Sequence, residues 1–584
     1  MRSPYHLVLT ALLTTSTTGL LAQLPTVDSV FATNGVLISP NSAAQEGSET
    51  ERILELSDGH YLGIGSRWLN MGFYYDIRPC LMKYDLCGEP DTSFSNDGSA
   101  EIPWLSMGYL IPRRAVELAD GSMLMFGSTN PAGGAYSGNR PAIFKVLANG
   151  QLDLSFGVDG VLSYDFPDVL SCGFGHDLLR LESGKLIGTA SRSSNSNGGS
   201  QGMALFGYLP DGGPDPDFAS GGVLHVGSSE RVGVVRVHQV NDTTLLVLTA
   251  KLLGGGPDFL QLELSAYDTT GALQTAFGTN GIAMDTTLLS PMGRWGFDSA
   301  LDDQGRIVVF GRKDEQHLQV MRFLPDGTRD TAFGTAGTTY VPALGANAAA
   351  VRLLIRDDGT MVCIAATFNA GSQWFVLDAD GDLAPGTNSL MPLPSGRVAT
   401  DLLSVSNGRW MVQAQGGFPI YDQMQLRMSD APVVMPHIAA NGADLVTTGS
   451  GTDFQWYLNG TAIPNATGTS HTPAGNGDYT VEMTDDLGCT ALSPVFTVIA
   501  ASVQGAGTHE VLLVNTMAED RLMVTNPGDG MNAYRILNMS GQVVATGRLV
   551  NGTNTLDVSR LAPGAYVLAL EDGDAGSALR WVKM

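Results

Sequence analysis

One phrase recurs along the first two thirds of the chain and constrains its fold more than any other feature. The copy that begins at Ala148 reads ANGQLDLSFGVDGVL, and further copies read LCGEPDTSFSNDGSA, PDGGPDPDFASGGVL, TTGALQTAFGTNGIA and PDGTRDTAFGTAGTT. A shortened copy, VDSVFATNGVL, stands near the N-terminus. The spacing is roughly 60 residues, which is within reach of one propeller blade and longer than most solenoid repeats.

The full copies keep a Gly three residues before an Asp position, a Phe three residues after it, and a second Gly four residues after the Phe. The Asp and Phe positions are Asp91 and Phe94, Asp153 and Phe156, Asp215 and Phe218, Gln274 and Phe277, and Asp330 and Phe333. We expect the Asp to hold a turn through backbone N–H groups and the Phe to pack between sheets.

A repeated cation site is the alternative role for these Asp residues. Calcium needs several oxygens that converge on one ion. Each copy offers one Asp, and Gln274 and Ala384 replace it without a nearby acid. The pattern therefore favours the structural role, and we expect no metal and no cofactor.

A second feature repeats in step with the first. Seven hairpin signals join an apolar stretch to a strand-like stretch, mostly through Asp-Gly, Ser-Gly or Asn-Gly pairs; they are LSDGHYLGIG, LADGSMLMFG, LESGKLIGTA, VNDTTLLVLT, LDDQGRIVVFG, RDDGTMVCIA and VSNGRWMVQA. Such pairs supply the positive φ of a tight turn. With four strands to a unit, the pattern predicts a closed, seven-bladed β-propeller, because closure removes exposed sheet edges.

Composition agrees with an all-β, exported protein. The 584 residues are 43% hydrophobic and include 72 glycines, while charged residues make up 15%. The net charge of -26 argues against a nucleic-acid partner, because binding to phosphates needs clustered cations. Residues 1–22, MRSPYHLVLTALLTTSTTGLLA, are typical of a secretory signal peptide, and no later stretch is long and apolar enough to predict a transmembrane segment.

The cysteines do not form a recognisable framework. Cys80 and Cys87 are near enough in sequence to bridge one hairpin in an oxidising compartment. Cys172, Cys363 and Cys489 are far apart, and we expect them to be buried single thiols.

The sequence lacks a recognisable enzyme constellation. His60, His176, His225, His238, His317 and His437 are scattered over different units. The pair His176-Asp177 could orient an imidazole for acid–base chemistry, but no matching partner recurs elsewhere. We therefore predict no enzymatic activity; acids gathered in the channel of a propeller enzyme are the alternative. Trp68, Tyr74, Tyr75 and Trp104 lie in the longer, non-repeating segments of the first units. Burial between sheets is the commoner role of such aromatic residues, and recognition of a ligand specific to these units is the alternative.

The D-x-x-F-G-x-x-G units, with hairpins between them, resemble the delta-60 repeat family, whose β-propeller-like repeats are common in exported bacterial proteins. The resemblance covers about residues 27 to 430. It implies a fold and not a reaction.

The next segment resembles the bacterial immunoglobulin-like modules of surface proteins. Trp456 lies in an alternating strand of FQWYLNG, and Tyr479 lies in GDYTV, two residues before Val481. The resemblance implies that Trp456 packs between two sheets and that Tyr479 makes a tyrosine corner. Val481 stands where a second core Cys would be, so Cys489 has no evident partner.

The final segment resembles the type A C-terminal sorting domain of the type IX secretion system of Bacteroidetes. The residues that carry the resemblance are the GQVV strand, LDVSRLAPGAYVL with Leu561, Gly564 and Tyr566, and the basic–apolar tail that contains Lys583. The usual Pro-Asn-Pro opening is replaced by LLVNTMAEDRLMV. The resemblance implies passage through the periplasm and outer membrane, with the secretion machinery as a partner.

Together these patterns predict an all-β chain with a signal peptide at 1–22, a seven-bladed propeller at 23–430, an Ig-like β-sandwich at 431–500 and a small C-terminal β-sandwich at 505–584. The expected function is binding or display at the cell surface or in the medium, with a glycan or a protein as ligand. The alternative is a propeller enzyme that degrades polysaccharide or protein.

Overall fold

The structure is a computed structural model. It describes residues 26–32, 35–38, 46–70, 75–103, 109–130, 139–166, 171–194, 201–228, 231–253, 259–289, 297–345, 348–367, 371–394, 396–405, 408–416, 423–429, 433–498, 511–527, 532–539, 541–570 and 578–584. The predicted signal peptide lies outside these ranges. Within them the regular structure is β-strand, and no helix is long and apolar enough to cross a membrane.

The chain divides into two compact units. The first contains residues 1–27 and 35–432, and the second contains residues 28–34 and 433–584. The first unit begins with β1 (Thr26–Val27) and β2 (Val36–Ile38).

The remaining strands of the first unit form seven consecutive strand sets. Set 1 is β3 (Glu46–Glu55), β4 (Tyr61–Asn70), β5 (Tyr75–Tyr84) and β6 (Ser99–Glu101). Set 2 is β7 (Tyr109–Glu117), β8 (Met123–Asn130), β9 (Arg140–Val146) and β10 (Val161–Ser163). Set 3 is β11 (Ser171–Arg180), β12 (Leu186–Ser194), β13 (Gln201–Tyr208) and β14 (Val223–Ser228).

Set 4 is β15 (Arg231–Asn241), β16 (Thr244–Leu253), β17 (Phe259–Asp268) and β18 (Ile282–Leu289). Set 5 is β19 (Phe297–Leu301), β20 (Ile307–Arg312), β21 (His317–Phe323) and β22 (Thr338–Pro342). Set 6 is β23 (Ala349–Ile355), β24 (Met361–Thr367), β25 (Gly371–Leu377) and β26 (Ser389–Leu390). Set 7 is β27 (Arg397–Val405), β28 (Arg409–Gly416) and β29 (Gln423–Ser429).

Consecutive strands within each set pair antiparallel. Sets 1 and 2 also join through a single parallel pair, Ile77 with Tyr109. Both N-terminal strands pair antiparallel with β29, so set 7 combines strands from the two ends of the unit. The two N-terminal strands thus cover the outer edge of set 7.

The first strands of the seven sets contact one another in cyclic order, from β3 through β7, β11, β15, β19, β23 and β27 back to β3. Six apolar clusters fill the spaces between successive sets from set 1 to set 7. The fold is therefore all-β and propeller-like, as the sequence predicts at this level.

The second unit contains two groups of strands. The first group is β30 (Ile438–Asn441), β31 (Asp444–Thr447), β32 (Asp453–Leu458), β33 (Thr461–Ala462), β34 (Ser470–His471), β35 (Gly477–Thr484), β36 (Thr490–Leu492) and β37 (Phe496–Val498). They form one sheet of order β30-β31-β34 and another of order β33-β32-β35-β36, in which β37 also pairs with β35.

The second group is β38 (Leu512–Leu513), β39 (Met517–Ala518), β40 (Arg521–Asn526), β41 (Asn532–Asn538), β42 (Val543–Leu549), β43 (Gly552–Asp557), β44 (Gly564–Leu570) and β45 (Ala578–Lys583). It forms one sheet of order β38-β40-β43 and another of order β39-β45-β44-β41-β42. An apolar cluster that includes Leu522, Leu568 and Trp581 makes its core.

The structure lacks the bridge that was possible between Cys80 and Cys87, and the prediction of a single thiol at Cys489 is wrong. Cys80 is a free thiol in the middle of β5, while Cys87 is disulfide-bonded. About 13 Å of extended strand separates Cys80 from the end of β5, too far for a bridge with the turn beyond it. Cys489 is also disulfide-bonded, whereas Cys363 is the buried free thiol that was expected. The side chain of Cys172 lies outside the described residues.

Candidate functional site

Seven ionisable side chains form a charge belt on the first strands of the sets. Each stands seven residues before the hairpin Gly of its set, or before Thr243 in set 4. The strand register places all seven at the same level of their sheets. In set order they are Arg52, Arg114, Asp177, Arg236, Asp298, Arg352 and Asp401.

The belt alternates in sign around most of the ring, so that neighbouring sets attract each other. Arg114 Nε lies 2.7 Å from Asp177 Oδ1. Asp298 lies 3.7 Å from Arg236 Nε and 3.5 Å from Arg352 Nη1. Asp401 lies 3.2 Å from Arg352 Nε and 2.8 Å from Arg52 Nη1. These pairs cross five of the seven junctions between successive sets.

Each Asp of the belt also accepts a backbone N–H from the following set. Asp177 Oδ2 accepts from Val237 at 3.3 Å, and Asp298 Oδ2 accepts from Leu353 at 2.9 Å. Asp401 Oδ2 accepts from Ile53 at 2.9 Å, across the junction of the last and first sets. Every donor is the residue after an Arg of the belt. Asp298 and Asp401 each hold both the Arg side chain and the adjacent backbone N–H of the following set.

Seven positions cannot alternate completely, and the two like charges meet between sets 1 and 2. Arg52 and Arg114 are neighbours there. The residues just before these two arginines in sequence offset their repulsion with an ion pair, in which Glu51 Oε1 accepts a hydrogen bond from Arg113 Nη1 at 2.5 Å. The strand pairing shifts next to both arginines, between Thr50 and Arg52 and between Pro112 and Arg114. Such bulges turn two consecutive side chains toward one side.

Burial and opposite charge set the ionisation of the belt. Burial raises the pKa of Asp298, but Arg352, Arg52 and Arg236 outweigh it, and the pKa lies below its ordinary value. Burial lowers the pKa of Arg236. The Asp298 carboxylate is therefore held as an anion by fixed cations, which leaves it poorly suited to exchange protons with a substrate.

His176 stands next to Asp177 but does not form an acid–base pair with it. Its Nε2 is hydrogen-bonded to Ser191 Oγ at 2.8 Å. Burial, followed by the charges of Arg236 and Arg113, lowers the pKa of His176 to about 3. His238 is bonded to Ser299 Oγ in the same way, and burial lowers its pKa too. Both rings are neutral at physiological pH.

Sequence reasoning missed the belt because its residue type changes from set to set. The signal that could have found it is positional, namely an Arg or Asp at a constant distance before each hairpin. Repeats that are aligned by residue identity reveal the Asp and Phe of the turns. They do not reveal a position that holds Arg in some sets and Asp in others.

The structure places the repeated Asp residues in turns, each beside a cation. Asp153 Oδ1 accepts from the N–H of Ser155 at 3.0 Å and from its hydroxyl at 2.5 Å. The cation distances are 2.8 Å for Asp91 and Lys83, 3.7 Å for Asp153 and Lys145, 2.7 Å for Asp215 and Lys185, and 2.7 Å for Asp330 and Arg322.

The repeated Phe residues lie between sets. Phe94, Phe218 and Phe333 are fully buried and Phe277 is 8% exposed, whereas Phe156 is half-buried. Each ring packs against the Gly that precedes the Asp position of the next copy: a Cβ on Gly271 would lie 3.1 Å from the Phe218 ring. The same contact joins Phe94 to Gly150, Phe156 to Gly212, Phe277 to Gly327 and Phe333 to Gly381.

One cluster has the composition of a metal site. Oxygen and nitrogen atoms of Asp58, His60 and Asp91 lie within 4.8 Å of one another. The Lys83 ammonium is 2.7 Å from Asp58 and 2.8 Å from Asp91, however, and so supplies the positive charge that these acids require. Burial raises the pKa of Asp91, but the bonds from Lys83 and Ser93 bring it below its ordinary value.

Of the aromatic residues in the non-repeating segments, Trp68 is half-buried, while Tyr74 and Trp104 and the side chain of Tyr75 lie outside the described residues. Another aromatic group is present between sets 2 and 3. Tyr164 packs edge-on against Phe166, and its hydroxyl is hydrogen-bonded to exposed His225 at 2.9 Å. This group combines aromatic surface with polar edges.

In the second unit, Trp456 and Tyr479 are fully buried on neighbouring strands, where Trp456 pairs with Val481. Tyr479 donates its hydroxyl hydrogen to the carbonyl of Gly475 at 2.9 Å, and Trp456 Nε1 donates to Gly468 at 2.9 Å. His471 packs between the two rings.

The residues of the predicted sorting motif lie in and beside the last two strands. Leu561 packs against the apolar core, and Gly564 begins β44. Tyr566 donates to the carbonyl of Ala562 at 2.7 Å and stacks on Trp581. Lys583 is 3.6 Å from Asp520.

Among solved structures, the chain is similar to a GH93 α-L-arabinofuranosidase of Fusarium graminearum in complex with arabinobiose: identity 14%, coverage 59% of this chain and 93% of that one, TM-score 0.37. It is also similar to a Penicillium chrysogenum α-L-arabinanase in complex with arabinobiose, with an identity of 13%, a coverage of 70% of this chain and 100% of that one, and a TM-score of 0.35. A Dyadobacter fermentans protein of unknown function has an identity of 13%, a coverage of 54% of this chain and 93% of that one, and a TM-score of 0.32. At such TM-scores the similarities carry no argument about activity.

The comparison with curated proteins gives no match. Residues 518–583 match the family model described as secretion system C-terminal sorting domain. This match confirms the sorting domain that the sequence predicts and supports secretion of the protein. The C-terminal segment of the chain is thus a domain that addresses the protein to the type IX secretion machinery.

Proposed function

We propose that this is a non-catalytic β-propeller protein, exported to the cell surface or released, that binds or displays a ligand. In this account the seven strand sets are seven blades built from delta-60-like repeats. An Ig-like β-sandwich and the sorting domain follow them. The type IX secretion machinery is its partner during export.

The ring of first strands supports the count of blades. Each set carries one hairpin signal, one position of the charge belt and one inner strand that contacts both neighbours. The strands of both termini of the unit meet in set 7, which is a common way to close such a ring.

The buried Trp456 and the hydroxyl bond of Tyr479 support the Ig-like assignment. A Trp between sheets and a Tyr that reaches back to the backbone a few residues upstream are hallmarks of that sandwich. Two sheets, one of three strands and one of five, are consistent with it.

One observation carries the non-catalytic assignment. The three acids of the charge belt, Asp177, Asp298 and Asp401, are each bonded to an Arg of a neighbouring set and to a backbone N–H. A glycosidase needs one carboxylic acid that donates a proton and a second carboxylate that acts as base or nucleophile. Acids that are structurally committed do not supply this pair.

The ligand is a glycan or a protein. The test is a screen of the mature chain against glycan and extracellular-protein arrays. A retained ligand would be expected to lose affinity when Tyr164 or His225, at the aromatic group between sets 2 and 3, is replaced by Ala. Absence of any retained ligand from both arrays would contradict binding as the function and would leave display as its remaining form.

A further inference from the structure

Set 7 differs from the other sets at one pair of facing residues. Five sets place two apolar side chains at this level of their second and third strands, and set 3 places Thr189 opposite Leu205. The five apolar pairs are Ile64 with Leu81, Phe126 with Ile143, Leu248 with Leu264, Phe310 with Val320, and Ile364 with Trp374. The equivalent pair in set 7 is Gln413 with Gln425.

This glutamine pair faces set 1. Gln413 Nε2 donates to the carbonyl of Ile64 at 2.8 Å. A Cβ on Gly63 would lie 2.7 Å from Gln425 Nε2, so the glycine leaves room for the amide. Arg427, two residues along the same strand face, donates to the carbonyl of Leu86 at 2.7 Å. We call the packing of β28 and β29 against set 1 the closing seam.

Polar atoms in the closing seam are buried without enough partners. Gln413, Gln423, Gln425 and Ser429 are at most 1% exposed. No described residue bonds Gln413 Oε1, the two amide atoms of Gln423 or of Gln425, or Ser429 Oγ. A buried polar group that lacks a protein partner weakens the interface that contains it.

The other six junctions are different. Each contains an apolar cluster that spans two successive sets, and the described residues form no such cluster across the closing seam. Buried Met411 and Tyr61 lie on the strand faces that meet at the seam, and Arg52 with Asp401 ties the first strands. Because burial of apolar surface is the main source of stability, the closing seam is the weakest junction of the ring.

We propose that the ring opens and closes at the closing seam, ahead of every other junction. Opening there separates set 7, with β1 and β2 attached to it, from set 1. The other junctions keep their apolar clusters during this motion. The ring can thus open reversibly without unfolding any sheet.

Thiol labelling of the full mature chain under native conditions tests this proposal. S429C introduces a thiol of similar size into the seam at a fully buried position, and native Cys363, fully buried between sets 5 and 6, is the reference in the same molecule. With peptide mapping by mass spectrometry, we expect labelling at position 429 to be about tenfold faster than at Cys363 or more. Q423C places a thiol on the same face if S429C does not fold.

A second substitution separates opening from simple exposure. Q425M keeps the side-chain length and removes two unbonded polar atoms, so it should slow labelling at position 429 several-fold and leave the rate at Cys363 unchanged. Q151M, on an exposed turn, is the matched control and should change neither rate. Equal rates at 429 and Cys363, or an unchanged rate at 429 in Q425M, would overturn the proposal.

Discussion

At the scale of single residues, the repeated phrase is a contact between copies. The Phe of one copy packs against the Gly of the next, as Phe218 does against Gly271, and Gly271 has a φ of 87° that favours glycine. The Asp between them ties its own turn and pairs with a cation. The Phe and the Gly thus recur because each copy packs against the following one.

The Phe contact leads to a prediction. Phe218→Ala should lower the free energy of unfolding by about 3 to 5 kcal/mol, because a fully buried ring is removed. Phe156→Ala should cost less, since that ring is half-buried. Denaturation by urea, followed by tryptophan fluorescence, measures both; equal losses would argue against the packing role.

The charge belt gives a second prediction at this scale. Asp401→Asn removes the partner of Arg52 and Arg352 and should destabilise the protein by about 3 to 5 kcal/mol, as expected for a broken buried ion pair. Exposed Asp357→Asn serves as the matched control, with an expected change below about 0.5 kcal/mol. Similar stabilities for the two variants would contradict the structural role of the belt.

At the scale of elements, the first strands do two tasks. They line the ring, and the bulges beside Arg52, Arg114, Asp177, Arg352 and Asp401 bring these side chains toward their neighbours. The hairpins that follow are regular enough for their number to be read from the sequence. The charge belt cannot be read from the sequence in this way, because it depends on charge alternation between strands that are distant in sequence.

The half-buried His176 on β11 makes stability depend on pH. The folded pKa of His176 is lowered to about 3 from 6.5, so between these values the unfolded chain binds a proton that the folded chain does not. The free energy of unfolding should therefore fall as pH decreases below 6.5, by up to about 1.4 kcal/mol per pH unit for this residue.

Chemical denaturation of the wild type and His176→Gln between pH 7 and pH 4 checks this sign. The variant should show a shallower slope, and His238 should account for part of what remains because its pKa is lowered in the same direction. A slope unchanged by the substitution would show that His176 titrates normally.

The two groups of strands in the second unit each contain a Tyr that bonds backward to the backbone. Tyr479→Phe should cost about 1 kcal/mol through loss of the bond to Gly475, without a change of fold. Thermal unfolding with circular dichroism measures the shift; a variant as stable as the wild type would mean that this bond contributes nothing.

At the scale of the whole molecule, sequence and structure agree where a feature is local or repeated. The hairpins, the all-β class and the sorting domain at 518–583 could be predicted. The Gln413–Gln425 pair could not be recognised as unusual before the strands were aligned, because glutamine in a strand is unremarkable until its equivalents are seen to be apolar. The prediction of a single thiol at Cys489 was wrong because separation in sequence is a poor guide to which cysteines meet in the fold.

Removal of Arg580–Met584 tests the address function. These residues form most of β45, and we expect the truncated protein to accumulate in the periplasm. Tyr566→Phe, which weakens the same domain and leaves its tail intact, is the control and should still be secreted. Fractionation with an antibody against the propeller separates the outcomes, and normal secretion of the truncated chain would overturn the sorting role.

The central claim is that the propeller binds without turnover. The most direct measurement incubates the mature chain with glycan and protein ligands retained on the arrays and quantifies both bound material and newly released chain ends by mass spectrometry. Our account predicts retention with no release of products. The account would be contradicted if products were released and if this release were lost in a folded variant with Asp177, Asp298 or Asp401 replaced by Asn. That result would identify an enzyme.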